Sequence, residues 1–257
     1  MEHFEKIESY LPMDLITYKG FILAFLVVLF FILVRYFLMV GAAYYIFWKT
    51  QFFSKKIKIL HDRKLPKDQI KLEIKYSLIA SIIFSISGVG MGMIWQSGYS
   101  QIYTKFDEYG LSYLFISLLV YSIIHEFYFY FTHVWMHNPK IFKQVHLIHH
   151  KSVKTSPWAS FSFHPWETIV HAIFLPVMIL FIPIHPVVLI IYLTIMTLTA
   201  ISNHLGAEIL PSKFLRSLFI SGEHHCIHHT KMNSNFGLYY TFVDKIFATE
   251  YLEKSNE

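Results

Sequence analysis

Residues 18–48 read YKGFILAFLVVLFFILVRYFLMVGAAYYIFW. The run is apolar from Tyr18 through Val34, breaks once at Arg35, and resumes from Tyr36 to Trp48. That exceeds the roughly 20 residues a helix needs to cross a bilayer, so one spanning helix is expected. A cleavable signal peptide fits less well, because Glu2, Glu5 and Glu8 precede the run and no small-residue cleavage site follows it. Composition agrees with a lipid setting. Of 257 residues, 54% are hydrophobic and 15% charged, against about 25% charged in an ordinary soluble domain, and mean hydropathy is +0.44. Too few charges remain to cover a water-exposed surface. The single cysteine, Cys226, excludes an internal disulfide and any multi-thiolate metal site.

Outward from this helix, Lys49 to Lys75 carries nine Lys/Arg against three acids. Between two hydrophobic runs, such a loop reads as cytoplasmic rather than as a nucleic-acid surface. Tyr76 to Trp95 and Leu111 to about Phe131 are the second and third spans. Thr168 to Ile182 and Pro186 to Ser202 form a helical hairpin turning at Pro183, His185 and Pro186. The expected fold is therefore all-α: a multi-pass membrane bundle of about three full spans plus a hairpin, under a histidine-rich helical cap at the cytoplasmic face. The chain reads as one membrane domain, 1–257, with the first span in 18–48, the second and third in 76–131 and a catalytic region in 132–257. Its host membrane is a bacterial inner membrane or an endoplasmic reticulum.

Sixteen histidines set the chemistry. His133 and His137 stand four apart, one helical turn on one face, before Asn138-Pro139 ends the helix. His146, His149 and His150 follow at i, i+3 and i+4, and His225, His228 and His229 repeat that spacing about eighty residues later. Clustered neutral imidazoles in an apolar protein need partners for their lone pairs, and a transition metal supplies them. Eight or more exceed one coordination shell, so at least two ions are implied. The metalloprotease spacing His-Glu-x-x-His is absent, since His125-Glu126 runs into Phe-Tyr-Phe, and a redox metal fits better than zinc.

The block 133–167, HVWMHNPKIFKQVHLIHHKSVKTSPWASFSFHPWE, resembles the fatty acid hydroxylase/sterol desaturase superfamily of integral-membrane iron oxygenases. SNHLGAE at 202–208 and EHHCIHHTKMNSNFGLYYTFVDKIFAT at 223–249 are similar to it as well. The resemblance implies two Fe ions, with Zn as a possible substitute, and O2 as co-substrate. It implies an oxidoreductase that hydroxylates or desaturates a lipid C–H bond, drawing electrons from a donor such as cytochrome b5, or a ferredoxin and its reductase. His133, His137, His146, His149, His150, His225, His228 and His229 match its catalytic motifs, and His204 in the NHxGxE element matches an intervening ligand. Some branches carry a further His four residues before that one, where this chain has Ala200. His164 in FHPWE is the candidate tenth ligand, the alternative being a cap on the next helix. Phe236, Val243 and Ala248 depart from the more usual Tyr, Trp and Gly and mark a divergent member.

The other histidines have plainer readings. His224 is a candidate for orienting a ligand or for facing solvent, and Glu126 beside His125 is a candidate acceptor for a ligating imidazole, the alternative being that the pair is satisfied in the core or at the interface. His3, His61, His171 and His185 read as surface or structural. Trp158, Trp166, Tyr239 and Tyr240 read as interfacial belt residues, and Pro211 to Ile220 as a short amphipathic helix on the membrane. Competing functions are a zinc-dependent membrane lipid hydrolase and a metal-binding membrane protein without redox chemistry. The latter would place its ligands within the spans rather than just outside them.

Overall fold

A computed structural model of the chain describes residues 13–50 and 57–251. Glu2, Glu5, Glu8, His3, Lys55 and Lys56 lie outside these. Helix α1 (Tyr18–Tyr44) continues through a π-helical turn, Tyr45–Lys49, and begins where the Thr17 hydroxyl accepts the Gly20 N–H. Then come α2 (Gln69–Gln96), α3 (Leu111–Met136), the short turns α4 (Phe142–Val145) and α5 (Leu147–His150), and a 3-10 segment, Pro157–Phe161. The hairpin is α6 (Pro165–Phe181) and α7 (Pro186–Asn203), each with proline in its first turn, where a missing N–H costs nothing. Three short helices close the chain: α8 (Lys213–Leu218), α9 (Gly222–Lys231) and α10 (Phe242–Ile246).

Among the described residues, four helices are long and apolar enough to cross a membrane: Tyr18–Lys49, α2, α3 and α7. The 17-residue α6 is the shorter arm of the hairpin. Their outer faces carry large exposed apolar side chains such as Phe30, Phe31, Leu38 and Phe115. In the expected places, then, the chain is a multi-pass helical bundle. The second span starts earlier than its apolar run suggests, because Gln69 and Glu73 are buried at its entry. Glu73 accepts hydrogen bonds from Gln69, Ser152 and Ser156, so a polar turn continues the helix inside the protein.

The two ends of the bundle differ. At one, the Leu15 N–H donates to Gln96 at 2.8 Å, and the α2–α3 connection pairs with the hairpin turn through Gln101 N to Ile179 O (2.7 Å) and Ile184 N to Gln101 O (3.2 Å). At the other end lie residues 57–68, 137–164 and 204–251, and with them the histidine motifs. A two-residue antiparallel ribbon, unforeseen in the sequence, ties Lys58–Ile59 (β1) to Ala207–Glu208 (β2) there. The cap is packed too closely to admit side chains at two glycines. A Cβ on Gly222 would lie 2.3 Å from the Ala207 carbonyl oxygen, and Gly206 holds φ +67° beside the His61 ring.

Candidate metal centre

Four elements deliver the imidazoles. His133 lies in the last turn of α3 and His137 caps it. His146 joins α4 to α5, whose last residues are His149 and His150. His204 is the C-cap of α7, and His225, His228 and His229 lie on α9. The fold sorts these nine into two groups. His133, His137, His146, His150 and His228 form one, and His149, His204, His225 and His229 the other. Within each group one nitrogen per residue lies within 4.8 Å of all the others. Neighbours His149 and His150 fall in different groups, which places the two groups side by side.

The tautomers show what the groups are built to hold. His133 Nδ1 donates to the Phe236 carbonyl (2.9 Å), His228 Nδ1 to Ser234 (2.7 Å) and His204 Nδ1 to Ala200 (2.8 Å). His146 Nδ1 donates to Glu167 Oε1 at 2.8 Å. A carbonyl only accepts, so in these rings Nδ1 carries the proton and Nε2 is a bare lone pair. Yet Nε2 of His133 lies 3.1 Å from Nε2 of His146, and His225 and His149 place theirs 3.0 and 3.3 Å from that of His204. Two lone pairs at that distance repel unless a cation lies among them. An all-nitrogen donor set converging through Nε2, oriented through Nδ1, fits a transition metal. In contrast, the Nδ1 atoms of His149, His225 and His229 in the second group, and of His150 in the first, have no partner among the described residues, so three of the second group's four rings are aimed mainly by packing.

Burial keeps these rings neutral. It holds His137 and His146 down at about 3 and His204 at about 4, from an ordinary 6.5, and neighbouring imidazoles add to the effect at His137. His149, His150, His225, His228 and His229 are pushed well below 6.5 by burial first and like neighbours second. A folded pKa below the unfolded one means the unfolded chain binds the extra protons. For the metal-free protein, the resulting penalty on the folded state is absent above about pH 6.5 and grows as pH falls toward about 3. Its thermal midpoint in mild detergent should therefore drop steadily between pH 7.5 and 5; a flat or rising midpoint would contradict this.

The remaining histidines stand outside both groups. His164 Nδ1 accepts the Trp166 N–H at 3.4 Å and caps α6, the alternative reading of that residue. His224 contacts Ser221 Oγ at 3.0 Å, His61 Nε2 donates to the Thr155 carbonyl, and His185 caps α7. Glu126 touches no ligand. It accepts three backbone N–H groups from 238–240, while His125 Nδ1 meets the hydroxyls of Tyr192 and Tyr239. Tyr239 is thus a buried partner rather than a belt residue. The acceptor that does orient a ligand is Glu167, to which the sequence reading gave no role. Its signal was available: an acid in the first turn of a membrane helix, at a depth where charges are rare without a task.

Beside the centre, an apolar cavity of about 420 Å³ lies between α1, α2, the 3-10 segment and the hairpin. His171, read as surface or structural, is part of its wall. His171 Nε2 lies 3.7 Å from Glu167 Oε1, and its ring packs on Phe163, which in turn packs on His149.

Residues 118–249, just over half the chain and all nine converging histidines, match the family model described as fatty acid hydroxylase. The chain belongs to the fatty acid hydroxylase family. It is 30% identical to a Delta(7)-sterol 5(6)-desaturase of Gibberella zeae, over 75% of this chain and 59% of that protein. Human lathosterol oxidase is 29% identical over 70% of this chain and 60% of its own length. The Delta(7)-sterol 5(6)-desaturase of Saccharomyces cerevisiae is 28% identical over 72% and 50%. The chain spans about half to three fifths of the length of these curated relatives. No solved structure matches it. In this member of the fatty acid hydroxylase family, Glu167→Ala should weaken metal retention about 10- to 100-fold, the usual effect of removing a ligand's acceptor, whereas Glu167→Gln still accepts from His146 and should keep most of it. Residual metal after dialysis against a chelator measures both.

Proposed function

We propose that this protein is a membrane-bound non-haem di-iron oxygenase that hydroxylates or desaturates a lipid C–H bond, using O2 and electrons from a separate donor. The observation that carries the reading is the pair of Nε2-converging histidine groups beside an apolar cavity inside a membrane bundle. His133, His137, His146, His150 and His228 would hold one iron, and His149, His204, His225 and His229 the other. When bound, the irons supply the O2 activation that an unactivated C–H bond requires and no side chain provides.

The chain's own residues do the rest. Backbone carbonyls of Ala200, Ser234 and Phe236 and the Glu167 carboxylate fix ring orientation, so the donor set is formed before any ion arrives. The packed cap buries eight of the nine imidazoles and excludes water. Within the cavity, Phe31, Phe84, Phe174 and Met196 offer an apolar surface on which a lipid can be held and aligned. The histidine end is the cytoplasmic one, because the described basic residues Lys58, Arg63, Lys64 and Lys67 lie there. Exposed Lys67, Lys71 and Lys151 around one depression on that face suit an acidic one-electron carrier of the cytochrome b5 or ferredoxin kind.

Protein purified anaerobically in mild detergent should contain about two irons per chain and consume O2 only when reduced. Stoichiometric zinc that survives iron supplementation, with no O2 uptake, would overturn the oxygenase reading in favour of a hydrolase or a metal-binding protein.

A further inference from the structure

The chain has three arginines, and two of them hydrogen-bond to the protein: Arg63 Nη1 donates to the Phe47 carbonyl at 2.6 Å, and Arg216 Nη1 to that of Leu210 at 3.0 Å. The third, Arg35, sits in the middle of α1 and lines the apolar cavity. It makes no hydrogen bond or ion pair among the described residues. The cavity hydroxyls of Ser81, Ser87 and Thr197 donate to backbone carbonyls at 2.7–2.8 Å, and none of them accepts a hydrogen bond from Arg35. Of the other ionisable groups, only His171 reaches the cavity wall, and it faces Glu167 on the metal side.

A guanidinium cannot shed its proton, and at membrane depth an uncompensated one costs several kcal/mol. The usual escape is to lie along lipid and extend the head to the interface. Arg35 instead borders a space enclosed by α1, α2, the 3-10 segment and both hairpin arms. What offsets its charge must come from the occupant. The space falls within the about 300–1,000 Å³ of small-molecule sites, and its walls are mainly apolar, with Arg35 the one permanently charged group among them. A planar fork of donors pairs best with a carboxylate or phosphate, whereas a neutral hydroxyl leaves the charge unbalanced.

We propose that the cavity binds an amphiphile with a negatively charged head, held by Arg35, whose apolar body lies along the wall that His171 shares with the metal centre. If the oxygenase reading is right, this amphiphile is the substrate, and the enzyme discriminates against neutral-headed lipids such as sterols. The head is a carboxylate or a phosphate, and binding separates the two.

The test is equilibrium binding to the full chain in neutral detergent, with radiolabelled oleate, oleyl alcohol and oleoyl lysophosphatidate as probes. The wild type should bind at least one of the two anions about tenfold or more tightly than the alcohol. The tighter anion identifies the head. Arg35→Gln should abolish that preference while leaving alcohol binding unchanged, and Arg35→Lys should retain most of it. Met196→Trp, which fills the cavity, should weaken all three. The proposal is overturned if the wild type binds the alcohol as tightly as both anions, if Arg35→Gln binds the anion within about twofold of wild type, or if binding survives Met196→Trp. Because binding needs no turnover, an inactive protein that keeps its charge preference would refute the oxygenase reading alone. An active one without it would refute this site alone.

Discussion

Replacing His228 with alanine is expected to lower metal content from about two ions per chain to about one and to reduce turnover at least about 100-fold. His228 has a part in two contacts of its group. Its Nε2 lies 3.2 Å from that of His150, and its Nδ1 is pinned to the Ser234 carbonyl at 2.7 Å. Losing a ligand removes both the donor and its preset orientation, and an oriented partner alone is worth about 10- to 100-fold. The groups act as units, so His150→Ala together with His228→Ala should be little worse than either alone. The control lies four residues back. His224→Ala should leave metal content unchanged, because His224 belongs to neither group and its ring contacts Ser221. Equal metal loss from both substitutions would show that folding of α9, not ligation, is being measured.

The spacing of the three histidine motifs made the histidine cluster legible in the sequence, because i, i+3 and i+4 on a helix is local geometry. How the motifs divide was not legible. His149 and His150 are adjacent in sequence but serve different groups, and His228 and His229 do the same from α9. Successive helical residues point about 100° apart, so one turn feeds two centres only once both helices are docked. The apolar runs likewise gave the spans, whereas Gln69 and Glu73 extend α2 through contacts with a loop some eighty residues away. His125-Glu126 left two readings open for a related reason. A carboxylate beside a histidine in a span signals a task, but which N–H groups it receives depends on a loop that reaches it from the C-terminal region.

That loop gives the largest expected loss of stability. Residues 236–240 run without regular structure against α3, and two carboxylates take up five of their backbone N–H groups. Asp244 accepts from Phe236 (2.8 Å) and Gly237 (2.9 Å), and Glu126 from Leu238 (3.0 Å), Tyr239 (2.6 Å) and Tyr240 (3.2 Å). Gly237 fits because a Cβ there would lie 2.9 Å from both carboxylates. Glu126→Ala leaves three N–H donors without their acceptor, that of Tyr239 buried and those of Leu238 and Tyr240 half-buried, for a total of about 2–4 kcal/mol after partial relaxation. Glu126→Gln keeps one acceptor oxygen and should cost less. The consequence reaches the metal, since the Phe236 carbonyl orients His133 from the same loop. Thermal unfolding in detergent should show the midpoint falling in the order wild type, Glu126→Gln, Glu126→Ala, with metal content of the first histidine group falling in parallel. An unchanged midpoint in Glu126→Ala would mean that the loop is held by α10 and Asp244 alone, and that the carboxylate in α3 is free for another task.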